Sequence, residues 1–520
     1  MSTGARMSRS WLVRASTGVI LVVALALRLW GAGHARFLGD EGMFWSTARR
    51  VATLTDLPAL GASVSGTDAR QPSPLLFWVL AIPQTLGASP WLGAGFIALL
   101  HVLAIAGLGW LAREARGERA ALVTMALVAV APWEMLSAER VWTPALMALW
   151  GFALLWCTVR FARPLGQAGA GLLAVTAPAI HLSAPAVVVA CLVALAVGPK
   201  VRVRWLALVI GVVLGLATYV PGIVSEVRHD FANSRAILSQ GGGNEADASK
   251  TRQLPARVAL YSVLWSTSEL GYHFAEGYFG WNQFDDRHAY ATREGWAERA
   301  RDHGVWRVAV DTAVSALALL AWLASLWVAG LAVLAAVRAR NRTLPLESRL
   351  TIALVVGLTL TTIGLAVARK SFFPHYLGYF SLWLSWPVAM AADRLVGWAR
   401  PRPARAALGV LAAAVAAAMV SNATRYYLTV ERKNGMVATV SMVRQVLDGP
   451  SPCSISFDGV NNLFTWDQVA QGLYGRSLPL SGPPRARYIV HNAAVYLSQD
   501  PIPPDATLHD GVLLVRRDLR

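Results

Sequence analysis

Four short stretches of this chain combine residue types that can move a proton or hold an anion. Phe37–Gly42 carries two adjacent carboxylates, Asp40 and Glu41, and a carboxylate fixed within reach of a hydroxyl acts as a general base. Arg70-Gln71-Pro72-Ser73-Pro74-Leu75 puts a cation at the mouth of an apolar run. The stretch from Trp133-Glu134 to Glu139-Arg140 crowds charges into a turn between two apolar blocks. Arg369-Lys370-Ser371-Phe372-Phe373-Pro374-His375-Tyr376 opens another block, and its paired cations suit a phosphate. Each stretch also has an ordinary reading. Asp at a helix N-cap and Glu in the first turn satisfy free amides, prolines open helices, and the last two stretches can be solvated turns.

The elements that hold these stretches are set by composition. Of 520 residues only 15% are charged and 55% are hydrophobic, against roughly 25% charged in soluble domains. Mean hydropathy is +0.46. Several apolar blocks reach the ~20 residues that cross a bilayer as a helix. A soluble enzyme, a disordered chain and a fibrous protein are excluded. The net charge of +17, from 47 Lys+Arg against 30 Asp+Glu, sits mostly in short clusters between apolar blocks. That is topology rather than a nucleic-acid surface. Cys157 and Cys191 lie in apolar blocks and Cys453 in the polar tail, so no disulfide or thiol-metal site is supported.

The basic loops orient the chain. Arg6, Arg9 and Arg14 keep the N-terminus in the cytoplasm, and Gly18–Trp30 reads as a retained first helix rather than a cleaved signal. Spans are expected at about 14–31, 91–111, 119–136, 141–160, 167–181, 184–199, 205–221, 306–337, 348–367, 375–397 and 404–421, eleven in all. Their cytoplasmic connections carry Arg113 to Arg119, Arg160/Arg163, Lys200/Arg202/Arg204, Arg338/Arg340/Arg342 and Arg400/Arg402/Arg405. The run Pro72 to Ala88, short and interrupted by Pro83 and Gln84, reads as an interfacial or re-entrant helix. The span at 306–337 is over-long for one crossing and is expected to tilt or break. Many of the 21 Trp fall near span ends, as interfacial anchors do. All four chemical stretches then lie on the outside.

After Asp40 and Glu41 an amphipathic helix is expected over 43–55. Phe44, Ala48, Val51 and Ala52 share one face, opposite Ser46, Arg49, Arg50 and Thr53. Such a helix lies along the membrane surface with its apolar side in lipid, which fixes the carboxylates at headgroup depth. His101 and His181 read as lone polar residues near span ends. The large outside loop 222–305 holds an aromatic and polar cluster, Tyr272, His273, Glu276, Tyr278, Trp281, Asp285, Asp286 and His288, of a kind found on carbohydrate surfaces. The tail 422–520 mixes a helical pattern at Gly435–Leu447 with short strands at Cys453–Phe457, Arg487–Val490 and Gly511–Val515, a small α/β domain outside the membrane. No Gly-rich phosphate signature occurs, and Gly241–Gly243 reads as a flexible connection.

In this order and on one side, the four stretches resemble those of the bacterial GT-C glycosyltransferases of the protein-mannosyltransferase and aminoarabinose-transferase superfamily. The match covers about residues 12–400: Asp40-Glu41 before an amphipathic helix, a Pro-rich helix start at Gln71–Leu75, Ser137-Ala138-Glu139-Arg140 after the third span, and Lys370 with His375-Tyr376-Leu377 before a late span. Where the family has His or Lys before its prolines, this chain has Gln71.

The resemblance implies a GT-C-like, all-α polytopic membrane fold for 1–421, with outside loops 32–90 and 222–305; it does not extend to the extracytoplasmic α/β domain read in 422–520. It implies transfer of a hexose or pentose from a polyprenyl-phosphate donor, as co-substrate, to a glycan, lipid or protein acceptor. Asp40 would be the base or a metal ligand, and Glu41 its substitute. Arg369 and Lys370 would hold the phosphate, and Glu139 and Arg140 would shape the sugar pocket. Arg70, His375 and Tyr376 complete the expected substrate-binding set. A divalent metal is left open, and no nucleic acid is expected. The Ala-, Gly- and Arg-rich bias points to a bacterial plasma membrane. The competing readings are a transporter or flippase of lipid-linked sugars, which would put charges at the bilayer midplane, and a non-catalytic envelope scaffold.

Overall fold

The computed structural model describes residues 3–34, 39–64, 69–87, 89–239, 304–339, 343–367, 374–399 and 402–426. It also describes isolated positions at 297, 301, 440 and 443–444, and the strands 455–458, 488–492, 506–509 and 512–516. The chain is helical from its first described residue. In order come α1 (Thr3–His34), α2 (Gly39–Ala52), α3 (Leu75–Gln84), α4 (Pro90–Arg116), α5 (Glu118–Val130), α6 (Pro132–Ala138), α7 (Thr143–Val159) and α8 (Pro164–Ile180). Then follow α9 (Pro185–Ala196), α10 (Trp205–Ala217), α11 (Val220–Arg228), α12 (Ala232–Ser239), α13 (Val305–Arg338) and α14 (Leu346–Val367). A 3-10 helix (Pro374–Phe380) leads into α15 (Ser381–Trp398), and α16 is Arg402–Tyr426.

Every expected span falls on a helix. Among the described helices, four are long and apolar enough to cross a membrane alone, the segments Trp11–Gly33, Pro90–Arg116, Val308–Arg338 and Leu346–Val367. A fifth counts if α10 and α11, bent by 44° at Thr218-Tyr219, form one span. The over-long thirteenth helix is unbroken over 34 residues. The expected span 119–136 is broken instead, at Ala131-Pro132, where α5 ends and α6 begins. Proline has no amide hydrogen, so the carbonyl of Val128 loses its helical partner there. Arg28 of α1, fully buried, takes its place by donating to the Val128 oxygen (3.3 Å), the Ala129 oxygen (3.0 Å) and its own Ala24 oxygen (3.1 Å).

Helices in lipid gain little from hydrophobicity when they meet, so small residues that let backbones approach decide where they pack. Gly211 of α10 lies so close to the Ala168 carbonyl of α8 that any Cβ would overlap it. The apolar core runs through Leu76 and Leu80 of α3, Ile97 and Ile105 of α4, Leu146 and Met147 of α7, and Trp383 and Trp386 of α15.

The helix α2 departs from expectation in one respect. Phe44, Trp45 and Ala48 are buried, but against protein: Phe44 meets Phe77 at 6.2 Å between ring centroids, and the Trp45 ring covers Gly93 of α4. Ser46 and Thr47, on the polar side, are buried too. The apolar face therefore packs on α3 and α4 rather than into lipid. The short α3 serves as this platform, with Gln84 donating to the Trp45 oxygen (2.6 Å) and Arg49 donating to the Gln84 oxygen (3.0 Å).

In the tail the described strands β1 (Ile455–Asp458), β2 (Tyr488–Asn492), β3 (Ala506–His509) and β4 (Val512–Arg516) form one sheet in the order β1-β2-β4-β3. The first pair is parallel and the other two antiparallel. Three of the strands coincide with those read from the sequence, and β3 is additional. The rest of 422–520, with most of the helical pattern at Gly435–Leu447, lies outside the described residues, as does the aromatic cluster Tyr272 to His288.

Candidate active site

Two of the four stretches meet. The carboxylate pair opens α2, with Asp40 and Glu41 in its first turn. The charged turn after α5 is not a solvated connection. Its first half is α6, which packs among α1, α4, α5, α7 and α16, and all of Glu134, Ser137, Glu139 and Arg140 are buried. Arg140 points a guanidinium nitrogen at Glu41, 3.7 Å from its Oε1, and lies over the Trp142 ring at 5.1 Å from the centroid. The Glu139 carboxylate fills the space above Gly31 of α1, where a Cβ would overlap it. Glycine is needed there for room, not for its backbone freedom.

Charges buried this deeply are costly unless paired. Glu41 and Arg140 answer one another, and Glu134 faces Nδ1 of His101 at 3.5 Å, both side chains being fully buried. His101, read from the sequence as a lone polar residue, therefore has an acidic partner. Neither Glu134 oxygen makes a hydrogen bond among the described residues. The arrangement gives two buried charged pairs, Glu41 with Arg140 and His101 with Glu134, and places Glu139 against Gly31 of α1.

The other expected residues fall elsewhere. Arg70 is exposed, and its backbone rather than its side chain makes the contacts. Its N–H donates to Asn233 Oδ1 (2.6 Å) and its oxygen accepts from Asn233 Nδ2 (3.1 Å), which ties the first loop to α12. The neighbouring Ser73 is buried and donates to the Thr218 oxygen at the bend between α10 and α11 (2.7 Å). Tyr376 stacks at 5.6 Å on His181, in the break between α8 and α9, where Ser183 donates its amide to His181 Nδ1 (3.2 Å). The 3-10 helix that carries Tyr376 packs on α7, the helix that follows Arg140, so α7 links the two places. The backbone of His375 lies in that same turn, while Arg369 and Lys370, like the side chains of Asp40 and His375, lie outside the described residues. No group of three His, Cys, Asp or Glu placed to hold a metal occurs among the described residues.

Sequence reasoning missed His101, His181 and Arg28 as members of this neighbourhood. The signal for His101 and Arg28 was their presence inside apolar spans. What the spacing did not carry was the identity of each partner.

The fold is similar to that of solved structures. The crystal structure of ArnT from Cupriavidus metallidurans bound to undecaprenyl phosphate superposes with a TM-score of 0.54 over 97% of this chain and 98% of that one, at 15% identity. The apo form of the same protein gives 0.51 over 98% of each chain at 16% identity. The Archaeoglobus fulgidus oligosaccharyltransferase tethered with an acceptor peptide containing the NVT sequon gives 0.50, over 92% of this chain and 64% of that one, at 13% identity. No protein-family model and no curated protein sequence matches this chain.

Proposed function

We propose that this chain is a membrane glycosyltransferase that moves a sugar from a polyprenyl-phosphate donor to an acceptor hydroxyl at the outer face of a bacterial plasma membrane. The observation that carries the reading is the approach of Arg140 to Glu41 (3.7 Å), which joins the carboxylate pair to the charged turn. The fold shared end to end with ArnT, whose crystal structure holds undecaprenyl phosphate, supports the same donor class.

In this reading Asp40 is the base. Glu41 is held by the Arg140 guanidinium at 3.7 Å. The acceptor oxygen attacks the anomeric carbon while its proton passes to Asp40. The bond from that carbon to the phosphate oxygen breaks, and polyprenyl phosphate leaves with both electrons. Arg369 and Lys370 would stabilise the negative charge that grows on the leaving phosphate, a term that is often the largest in such reactions. Glu139 and Arg140 would border the sugar, and His375 and Tyr376, with His181 behind, the donor's path. Asp40 acting as a base needs no metal. Asp40 acting as a metal ligand would make turnover sensitive to chelation.

The test compares wild type with Asp40→Asn, purified in lipid and given a pool of polyprenyl-phosphate sugars with cell-envelope extract. Free polyprenyl phosphate should appear with wild type and fall about 100- to 10,000-fold with the variant. Release that is unchanged in the variant would remove Asp40 from the reaction. No release from folded wild type across several sugars would favour transport of lipid-linked sugars instead.

A further inference from the structure

His101 lies eleven residues into α4, roughly 16 Å along the helix from Pro90. Its two ring nitrogens face different elements. Nε2 lies 3.1 Å from the Ala145 oxygen in the first turn of α7, and because a carbonyl only accepts, Nε2 carries a hydrogen. Nδ1 lies 3.5 Å from Oε2 of Glu134 in α6. Both side chains are fully buried.

Glu134 and Ala145 stand on opposite sides of the turn 139–142. The sixth helix brings the chain into that turn and the seventh takes it out. A single imidazole thus holds both shoulders of the loop that carries Arg140. We propose that His101 and Glu134 are positioning residues which set this turn so that Arg140 faces Glu41. The activity arm of the test rests on the transferase reading above, whereas the structural arm does not.

The structural arm is a double-mutant cycle between Glu41→Gln and Arg140→Gln, read as melting temperature of the full chain in lipid nanodiscs. It is run in the parent and in a His101→Leu/Glu134→Leu background. Replacing a buried charged pair by apolar residues of similar volume is often neutral for stability, so that background should fold. The parent should show a non-additive shift of about 2 °C or more, and the apolar background none. Coupling that is absent from the parent, or intact in the apolar background, overturns the proposal. Should the double replacement not fold, Glu134→Leu alone serves as the background.

In the activity arm, Glu134→Leu should lower kcat about 10- to 100-fold, the range for a misplacement on the order of 1 Å, with donor KM within about twofold. Glu134→Gln, which keeps a polar group of the same shape able to pair with Nδ1, should restore kcat. A Gln variant as poor as the Leu variant would mean that the proton itself matters and would overturn a purely positioning role. If wild type shows no transfer, the transferase reading fails while the cycle still decides this one.

Discussion

Buried charge is handled differently at two places in the helical bundle. At the Arg116 end of α4, Asp393 of α15 is fully buried and accepts from Arg116 Nε at 2.8 Å and from Arg119 Nε at 2.6 Å. Arg116 also reaches Glu347 of α14 at 3.5 Å, and Arg394 bonds the same carboxylate. Short hydrogen bonds consume the Asp393 carboxylate, ion pairs hold Glu347, and four helices are riveted together. Around α2 and α6 the pairs His101–Glu134 and Glu41–Arg140 stand at 3.5 and 3.7 Å, and the oxygens of Glu134 make no hydrogen bond among the described residues. One place is a lock whose charges are spent on each other. The other holds the Glu134 carboxylate in ion-pair range of His101 without a hydrogen bond among the described residues.

The contrast can be broken from either side. Asp393→Ala leaves two arginines facing a vacancy, and truncating one member of a buried pair costs about 3–5 kcal/mol. Melting temperature and expression should fall, while turnover per folded molecule changes little. If thermal stability is untouched, the Arg116 end is no lock. Arg140→Met should act on turnover. Activity should drop roughly 10- to 100-fold, the scale of a lost electrostatic contact in an active site, beyond whatever melting temperature is lost by leaving the buried Glu41 without Arg140. A stability loss as large as that of Asp393→Ala, with activity intact, would erase the distinction. The smallest effect is expected for Arg70→Ala. The residue is exposed and its backbone makes the contacts to Asn233, so stability should shift by no more than about 0.5 kcal/mol and activity should be near wild type. A marked rise in donor KM would return Arg70 to the binding site.

Much of this was legible in the sequence, because a bilayer writes its demands into composition. Apolar blocks marked the helices, the short run holding Pro83 and Gln84 marked α3 as a short helix, and Gly, Pro and Asp punctuation marked β1, β2 and β4. The charged stretches were legible as unusual, since charges beside apolar spans are rare. Partnership was not. Periodicity identified the apolar face of α2 but could not say whether lipid or the rings of Phe77 and Trp45's neighbours covered it, since both are equally apolar. Likewise Glu41 with Arg140, His101 with Glu134, and Asp393 with Arg116 and Arg119 are pairs that only tertiary approach creates. Pro132 was equally opaque: an ordinary residue at a helix start, it splits an expected span because Arg28 is there to receive the freed carbonyls.

That last arrangement imposes an order on biogenesis. When α1 enters the bilayer first, Arg28 travels as an isolated cation five residues from the Gly33 end of its span, at a cost below the roughly 2.5–3.5 kcal/mol of the membrane centre. When α5 follows, its end presents carbonyls that no amide in their own helix can reach. Each element arrives with a deficit that the other removes, so the first helix must still be at hand, laterally close and in register, when the fifth is made. The first helix is thereby a built-in chaperone for the stretch of chain that delivers Glu139 and Arg140.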